Sequence, residues 1–377
     1  MEEETKETEN NNKMKDNTTE TENNNKIKDN TKMIERKLKF SLDKSMEIKK
    51  IFRTSRTYTI IYKKSNYLEQ LKDIKLIKDK NDIIIVFIFE KEETVDLYSL
   101  INSTVFDYRK QDKLIIWIIF QCLKGIETLH SLNIIHRNIN PNNITISENG
   151  GIKITEFGNS INDIESKFLL DKIIGELPYI APECLLGINY NNKIDIWSVG
   201  VLMLELYAKK TNIFMPDKDV EKDNYPKKFF NQLKHLSSKF KIPFNFNFNQ
   251  YQNEKDALKT WLNDIKFDKE HFDQIFKDIP ELTSEALDLL RRLLAFNPKE
   301  RMTAKEALKM EIFKDFQDLN KDEYKKSKEK NNENLSTFLR NLEKEFQKTE
   351  QYTPEKRNEI YKKEINNFLK NKKFDNN

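Results

Sequence analysis

The placement of glycine constrains this chain more than any other feature. Its seven glycines are Gly125, Gly150, Gly151, Gly158, Gly175, Gly187 and Gly200, and residues 1–124 and 201–377 contain none. Average usage of about 7% would give roughly 26 in a chain of this length. Backbone that approaches a phosphate closely, or turns at positive φ, normally needs a residue without a Cβ. Neither GxGxxG nor GxxxxGK can be written from these seven positions, so the two commonest phosphate-cradling loops are excluded.

The 377 residues are enough for one large domain or two modest ones with a sizeable core. Only 37% of them are hydrophobic, but these are clustered, which predicts a globular centre with polar tails. Cys122 and Cys184 are too few for a disulfide framework or a cysteine-based zinc site. The opening MEEETKETEN lacks the apolar stretch of a secretory signal. The longest apolar run, Leu114 to Phe120, falls short of the roughly 20 residues that span a bilayer. These features predict a soluble intracellular protein, cytoplasmic with the nucleus left open, and no membrane partner. The net charge is +4, and residues 321–377 hold 15 basic and 11 acidic side chains, interspersed rather than clustered. That pattern reads as a solvated helix face and gives no reason to expect nucleic acid as a partner.

Along the chain, TENNNKMKDNT at Thr8–Thr18 recurs as TENNNKIKDNT at Thr21–Thr31. So polar a segment cannot offset the entropy of ordering, and residues 1–32 are expected to form a disordered low-complexity tail. Lys37–Leu42, Glu47–Phe52 and Thr57–Lys63 read as short strands, and DIIIVFIF at Asp82–Phe89 as a buried one. Helices are expected at Leu114–His130, Ile194–Tyr207 and Ser284–Leu294. Another is expected over Thr303–Met310, where Thr303 and Glu306 form a capping box. The aromatic, charged stretch 211–283, including FNFNFN at 244–249, looks like an insertion between helices. After residue 316 two amphipathic patterns follow, one on Phe338, Leu342 and Phe346 and one on Ile360, Ile365 and Phe368.

The stretch IIHRNINPNNITISENGGIKITEFG at 134–158 resembles the catalytic and magnesium-binding loops of eukaryotic protein kinases, whose patterns are HRDxKxxN and DFG. The resemblance continues through LPYIAPE at 177–183, DIWSVG at 195–200 and Arg301 within NPKERMTAKEAL, in the family's order over residues 110–315. DLYSLI at 96–101 is similar to the segment after the kinase hinge. The region ALDLLRRLLAFNPKERMTAKEAL, with the insertion before it, looks most like the cyclin-dependent and mitogen-activated branch. The implied fold is α+β and bilobal, with a reduced β-rich N-lobe at about 33–90 and a mostly helical C-lobe at about 91–316. Residues 317–377 follow as a charged tail.

The resemblance implies a catalytic carboxylate where this chain has Asn138. It implies a phosphate-contacting lysine at Asn140, and at Glu176 an activation-segment threonine that bonds both. An amide is no base near neutral pH, and losing general-base catalysis costs about 10²- to 10⁴-fold. Asn143 matches the family's magnesium-binding asparagine, although an asparagine that merely caps a loop reads the same way. Glu156 stands for the DFG aspartate, one methylene longer. The third-strand lysine is assigned to Lys63, with Glu69 as the nearest acid. Lys63 reads equally as an ordinary strand-end lysine. The turn Asp43-Lys44-Ser45-Met46, where a glycine-rich loop is implied, is bulky and acidic. The positions the family uses to hold the large lobe together are kept: Glu183 with Arg301, Asp195 bracing the catalytic loop, and His136 and Phe157 in the core.

The expectation is therefore a protein that is not an enzyme, an inactive serine/threonine-protein kinase acting as a scaffold or allosteric regulator of other proteins. No cofactor is expected, with weak ATP and Mg²⁺ binding left open. Two alternatives stand beside it. One is a weak or atypical ATP-dependent kinase using Asn143 and Glu156 for metal. The other is an interaction module working through the C-terminal helices.

Overall fold

The computed structural model describes residues 20–23, 33–41, 54, 57–58, 60–61, 64–79, 82–90, 92, 94–104, 107–110, 113–147, 150–162, 173–188, 190–216, 225–266, 268–277, 279 and 281–317. They fall into two compact units. One comprises the described residues of Met1–Lys63 and Gln70–Glu92, the other Lys64–Glu69 and the described residues from Glu93 onward. The tail patterns on Phe338 to Phe346 and Ile360 to Phe368 lie outside the described residues, as do Glu47–Phe52 and Asp43–Met46.

The first unit contains an antiparallel sheet of β1 (Glu20–Asn23), β2 (Met33–Ser41), β3 (Leu71–Asp79) and β4 (Asp82–Glu90), in the order β1-β2-β4-β3. Val86, Phe87, Ile88 and Phe89 are all buried. Successive strand side chains point to opposite faces, so both faces of β4 are covered here and its sequence has no polar alternation.

Two expectations are corrected in this unit. Residues 20–23, placed in a disordered tail, pair with β2 from Glu20 opposite Arg36 to Asn23 opposite Met33. Pairing at a sheet edge uses main-chain N–H and C=O groups, which a polar sequence supplies as well as an apolar one. The described residues of Thr57–Lys63, expected as a strand, are helical. Thr54, Thr57, Tyr58 and Ile61 are buried, the i, i+3, i+4, i+7 spacing of one helix face. Tyr58 packs on Phe87 and Phe89 with ring centroids 5.9 and 5.3 Å apart. Packing of this face overrides the β-propensity of Thr, Tyr and Ile.

A third correction concerns the boundary. Residues 64–69, expected within 33–90, belong to the second unit. Ile154 N–H donates to the Tyr67 carbonyl and Glu69 N–H to the Ile154 carbonyl, at 2.8 and 2.9 Å.

The second unit opens with β5 (Thr94–Asp96), α1 (Leu97–Ile101) and α2 (Leu114–Ser131). Short strands follow: β6 (Ile134–Ile135), β7 (Ile144–Ser147), β8 (Ile152–Ile154) and β9 (Ile161–Asn162). They form two small sheets, β5-β7-β8 and β6-β9. Helices α3 (Pro182–Leu185) and α4 (Lys193–Ala208) come next. The 211–283 stretch holds α5 (Tyr225–Lys239), α6 (Phe248–Asn253), α7 (Lys255–Asp264) and α8 (Lys269–Phe276). The described chain closes with α9 (Ser284–Leu293), α10 (Ala304–Ala307) and α11 (Lys314–Gln317).

Helix α2 is long and apolar enough to cross a membrane by length and composition alone. Its apolar positions Ile118, Ile119, Cys122, Leu123 and Ile126 are instead fully buried in the core, where α2 packs on α4. In α4 every residue from Ile194 to Tyr207 is buried, the pattern of a helix covered on all sides. A Cβ on Gly200 would stand 2.8 Å from the Leu294 side chain, so glycine here lets α9 reach the α4 backbone closely. The FNFNFN run is also structural. Phe244 and Phe246 pack on Trp261 at 5.1 and 5.9 Å, and Phe248 on Phe230 at 5.7 Å. Helix α10 carries the Thr303–Glu306 capping box but ends before the expected Met310. Lys309 N–H and Met310 N–H bond three residues back, tightening the turn out of α geometry.

Arg301 is 1% exposed and uses all five guanidinium N–H groups. Nε donates to the Ala295 carbonyl at 3.0 Å. Nη1 donates to Glu183 Oε1 at 2.6 Å and to the Lys193 carbonyl at 3.0 Å. Nη2 donates to Glu183 Oε2 at 3.0 Å and to the Phe296 carbonyl at 3.3 Å. Removing one partner of such a pair leaves an uncompensated buried charge. Arg301→Ala is therefore expected to lower the unfolding free energy by about 3–5 kcal/mol, read from the urea midpoint. A loss below about 1 kcal/mol, the range of an exposed pair, would show that the pair does not hold these elements together.

Candidate active site

The loop after β6 is held from behind by α4. Asp195, in the first turn of α4 and 1% exposed, accepts from His136 N–H and Arg137 N–H through its two oxygens, both at 2.9 Å. The same carboxylate meets His130 Nε2 at 3.0 Å. Burial pushes the Asp195 carboxyl upward, but the hydrogen bonds from His130 and the loop backbone outweigh it and the net shift is downward. His130, given no role by its spacing in sequence, is thus a partner of the brace.

His136 is buried, and burial lowers its pKa. Its Nε2 lies 2.9 Å from the Thr155 carbonyl, which can only accept, and its Nδ1 accepts from Asn138 N–H at 3.3 Å. The pattern fits the neutral tautomer protonated on Nε2. Phe157 meets the ring edge-on at 5.1 Å, so His136 and Phe157 tie the loop to the segment after β8. Arg137, at φ 66°, donates from Nε to the Asn159 carbonyl at 2.7 Å and from Nη1 to Tyr190 Oη at 3.2 Å.

Three amides complete the loop. Asn140 is fully buried, and its Nδ2 donates to the carbonyl and the Oδ1 of half-buried Asn138, each at 3.2 Å. Its own Oδ1 accepts from Asn142 N–H at 2.9 Å. Asn143 Nδ2 donates to the Asn138 carbonyl at 2.9 Å. The loop therefore holds the Asn138 oxygen in place without a charged group.

Asn143 commits its Nδ2 to that bond, so its remaining side-chain polar atom is a hard oxygen acceptor. Glu156 is exposed, on left-handed backbone with φ 62°. Among the described residues no group of three or more His, Cys, Asp or Glu could hold a metal by itself. One amide oxygen and one carboxylate are nonetheless the kind of donor set on which Mg²⁺ binds beside a nucleotide's phosphates, retaining water in its other positions. The residues fit that ion.

Lys63 lies outside the described residues. The described residues nearest before it, Ile60 and Ile61, are helical. The described strand preceding that helix is β2, where Lys37 and Lys39 stand opposite Val86 and Ile84 of β4. Glu69 is buried in the second unit.

Glu176 borders the loop. Gly175 has φ 115°, and a Cβ there would sit 2.9 Å from the Arg137 carbonyl and 3.8 Å from Asn138 Oδ1. Only glycine lets the segment pass this close. Arg137, Asn138, Gly175, Glu176, Tyr179 and Cys184 border one small cleft. Behind it Tyr179 Oη donates to Glu205 at 2.9 Å, and Gln232 Nε2 donates to the Leu177 and Phe214 carbonyls, both at 3.1 Å. Neither tether leaves a spacing signal in the sequence.

A family model described as Protein kinase domain matches residues 20–313. Mitogen-activated protein kinase 5 of Arabidopsis thaliana is 29% identical over 251 residues, 66% of this chain and 62% of that protein. Extracellular signal-regulated kinase 2 of Dictyostelium discoideum is 29% identical over 268 residues, 68% of this chain and 66% of that one. The chain spans about three fifths of the length of the first of these relatives. A solved MAP kinase from Leishmania major superposes with a TM-score of 0.58 at 19% identity, covering 90% of this chain and 89% of that one. The yeast RNA polymerase II CTD kinase complex gives 0.55 at 23% identity, covering 76% and 90%. These two show the fold. The chain belongs to the protein kinase family, near its mitogen-activated and cyclin-dependent branch.

These findings overturn the expectation that the chain is not an enzyme. The kinase family model covers most of the chain, the relatives bear the names of kinases, and nothing in the comparisons marks the protein as inactive. The amides at 138 and 140 do not carry that conclusion, and the scaffold role that rested on it is withdrawn.

Glu205, fully buried on α4, supplies a pH test of the site's support. Burial pushes its carboxyl up to about 7, against the opposing hydrogen bonds from Tyr179 and Ile213 N–H. Below the unfolded value near 4.5 both states hold the proton. As pH rises through 7 the unfolded chain is already ionised, so stability is lost, on the order of 3 kcal/mol in all. Glu205→Gln should flatten the fall in Tm between pH 5 and 8 relative to wild type. Parallel curves for the two proteins would show that Glu205 does not titrate on unfolding.

Proposed function

We propose that the chain is a slow, atypical ATP-dependent serine/threonine-protein kinase whose partners are protein substrates. The observation that supports this most is the Asp195 brace. It fixes the backbone of His136 and Arg137, so the loop keeps a defined shape although two of its charged positions have become amides.

Phosphoryl transfer passes through a loose transition state in most analyses, and catalysis is mainly positioning and electrostatic stabilisation. Asn138, its oxygen held by Asn140, can orient a substrate hydroxyl by hydrogen bonding. What an amide there does not supply is the base, worth about 10²- to 10⁴-fold. Enzymes as a class accelerate reactions by about 10⁶-fold or more, so the loss slows the reaction without abolishing it. Asn143 and Glu156 would hold Mg²⁺, which when bound neutralises charge on the transferred phosphate.

The test uses the full chain with Mg-ATP and a mixture of basic protein substrates. Slow phosphate incorporation on serine or threonine is expected, lost on chelation and in an Asn143→Ala, Glu156→Ala double variant. Mg-ATP at 100 times its dissociation constant should add about 2.7 kcal/mol of stability. Absence of both phosphate incorporation and a thermal shift at millimolar Mg-ATP would overturn the reading.

A further inference from the structure

We infer that the edge of β2 has two interchangeable partners in this chain. One is β1, and the other is an identical segment at residues 7–10 that takes its place by exchange. This holds whether or not the chain transfers phosphate.

The second partner is written in the sequence. Strand β1 is Glu20-Thr21-Glu22-Asn23, and Glu7-Thr8-Glu9-Asn10 reads the same. The identity runs on through the whole repeat. Residues 7–18 match residues 20–31 at every position except Met14, where the second copy has Ile27.

The ladder accepts either copy. Antiparallel pairing sets Glu20 opposite Arg36, Thr21 opposite Glu35, Glu22 opposite Ile34 and Asn23 opposite Met33. Its bonds are made by main-chain N–H and C=O groups, which the two copies share. Glu20 opposite Arg36 is a cross-strand pairing of acid and base that Glu7 reproduces. A strand that is polar on both faces specifies its register weakly, because a slip moves no apolar set out of a core. The two registers therefore differ chiefly in the chain that joins them to β2, residues 24–32 for the nearer copy and 11–32 for the farther one. The cost of closing a loop grows as about (3/2)RT ln n, which favours the nearer copy about fourfold. That agrees with the pairing of residues 20–23 and leaves the other register within reach.

The repeat then has a use. Without a partner, this edge of β2 would offer a row of N–H and C=O groups to other chains, the liability of any edge strand. A second copy covers the edge whenever the first leaves it.

The experiment cross-links the full-length chain. Cysteine replaces Glu35 together with Thr21, Thr8 or, as a control opposite Glu35 in neither register, Asp16. Cys122 and Cys184 are buried, and burial raises both thiols above their ordinary value, so they stay out of the reaction. A disulfide needs Cα atoms within about 7 Å. Under mild oxidation Thr21→Cys should bond fastest, Thr8→Cys at roughly a quarter of its rate, and Asp16→Cys far more slowly. Adding Thr21→Pro and Glu22→Pro should speed the Thr8→Cys bond about fivefold, because the farther copy then has the edge to itself. Successive strand residues point their N–H groups to opposite edges, so one of the two prolines removes a donor that faces β2. In the chain without added cysteines, hydrogen exchange at residues 33–36 should rise about fivefold with that proline pair. It should barely change with Thr8→Pro and Glu9→Pro, and should rise much further with all four prolines. A Thr8→Cys bond no faster than the Asp16→Cys bond and unmoved by the prolines would overturn the exchange. So would a disulfide that joins two chains, since the spare copy would then serve a second molecule.

Discussion

The buried guanidinium of Arg301 is the fixed point of the helical unit. Each of its five N–H groups has a defined acceptor, and the ring of Trp197 lies 5.2 Å from it. The acceptors come from α3, from the start of α4 and from the chain just after α9. Breaking one contact would release elements that are far apart in sequence. Because the Lys193 carbonyl is among them, Arg301 also sets the first turn of α4, and two residues on stands Asp195. The position of the Asp195 carboxylate, and with it the backbone of His136 and Arg137, follows from an ion pair that touches neither.

This arrangement separates holding the loop from doing chemistry in it. The brace bonds backbone amides, so it is indifferent to which side chains sit at 138 and 140. Substituting those side chains changes what the loop can do to a substrate without changing where it is. Asn140 is fully buried and hydrogen-bonds Asn138, so the two side chains form a neutral pair. A charge placed on one of them alone would be buried without a partner, which is the costly case.

The parts legible in the sequence were those where one principle decided. Strand β4 is apolar without alternation because it is an interior strand, and α4 is apolar all round because it is covered on every side. The APE glutamate and Arg301 were legible through their motifs, although only the structure shows that every donor of the arginine is used. The segment after residue 54 was misread because two principles conflict there. Its composition favours strand, while its burial pattern at 54, 57, 58 and 61 is that of a helix, and the sequence does not say which positions are buried. Strand β1 was missed because its pairing involves main chain alone. His130 and Gln232 were missed because their partners, a carboxylate 65 residues away and carbonyls 55 and 18 residues away, leave no local pattern.

Gly175 shows the same division between backbone and side chain at the edge of the loop. At Gly175 the backbone lies at φ 115°, against the carbonyl of Arg137, where a side chain of any size would force the segment away from the loop. The atom that such a side chain would meet first is a main-chain carbonyl, which cannot turn aside as the end of a flexible side chain can, so the constraint on residue 175 holds whichever side chain stands at 138.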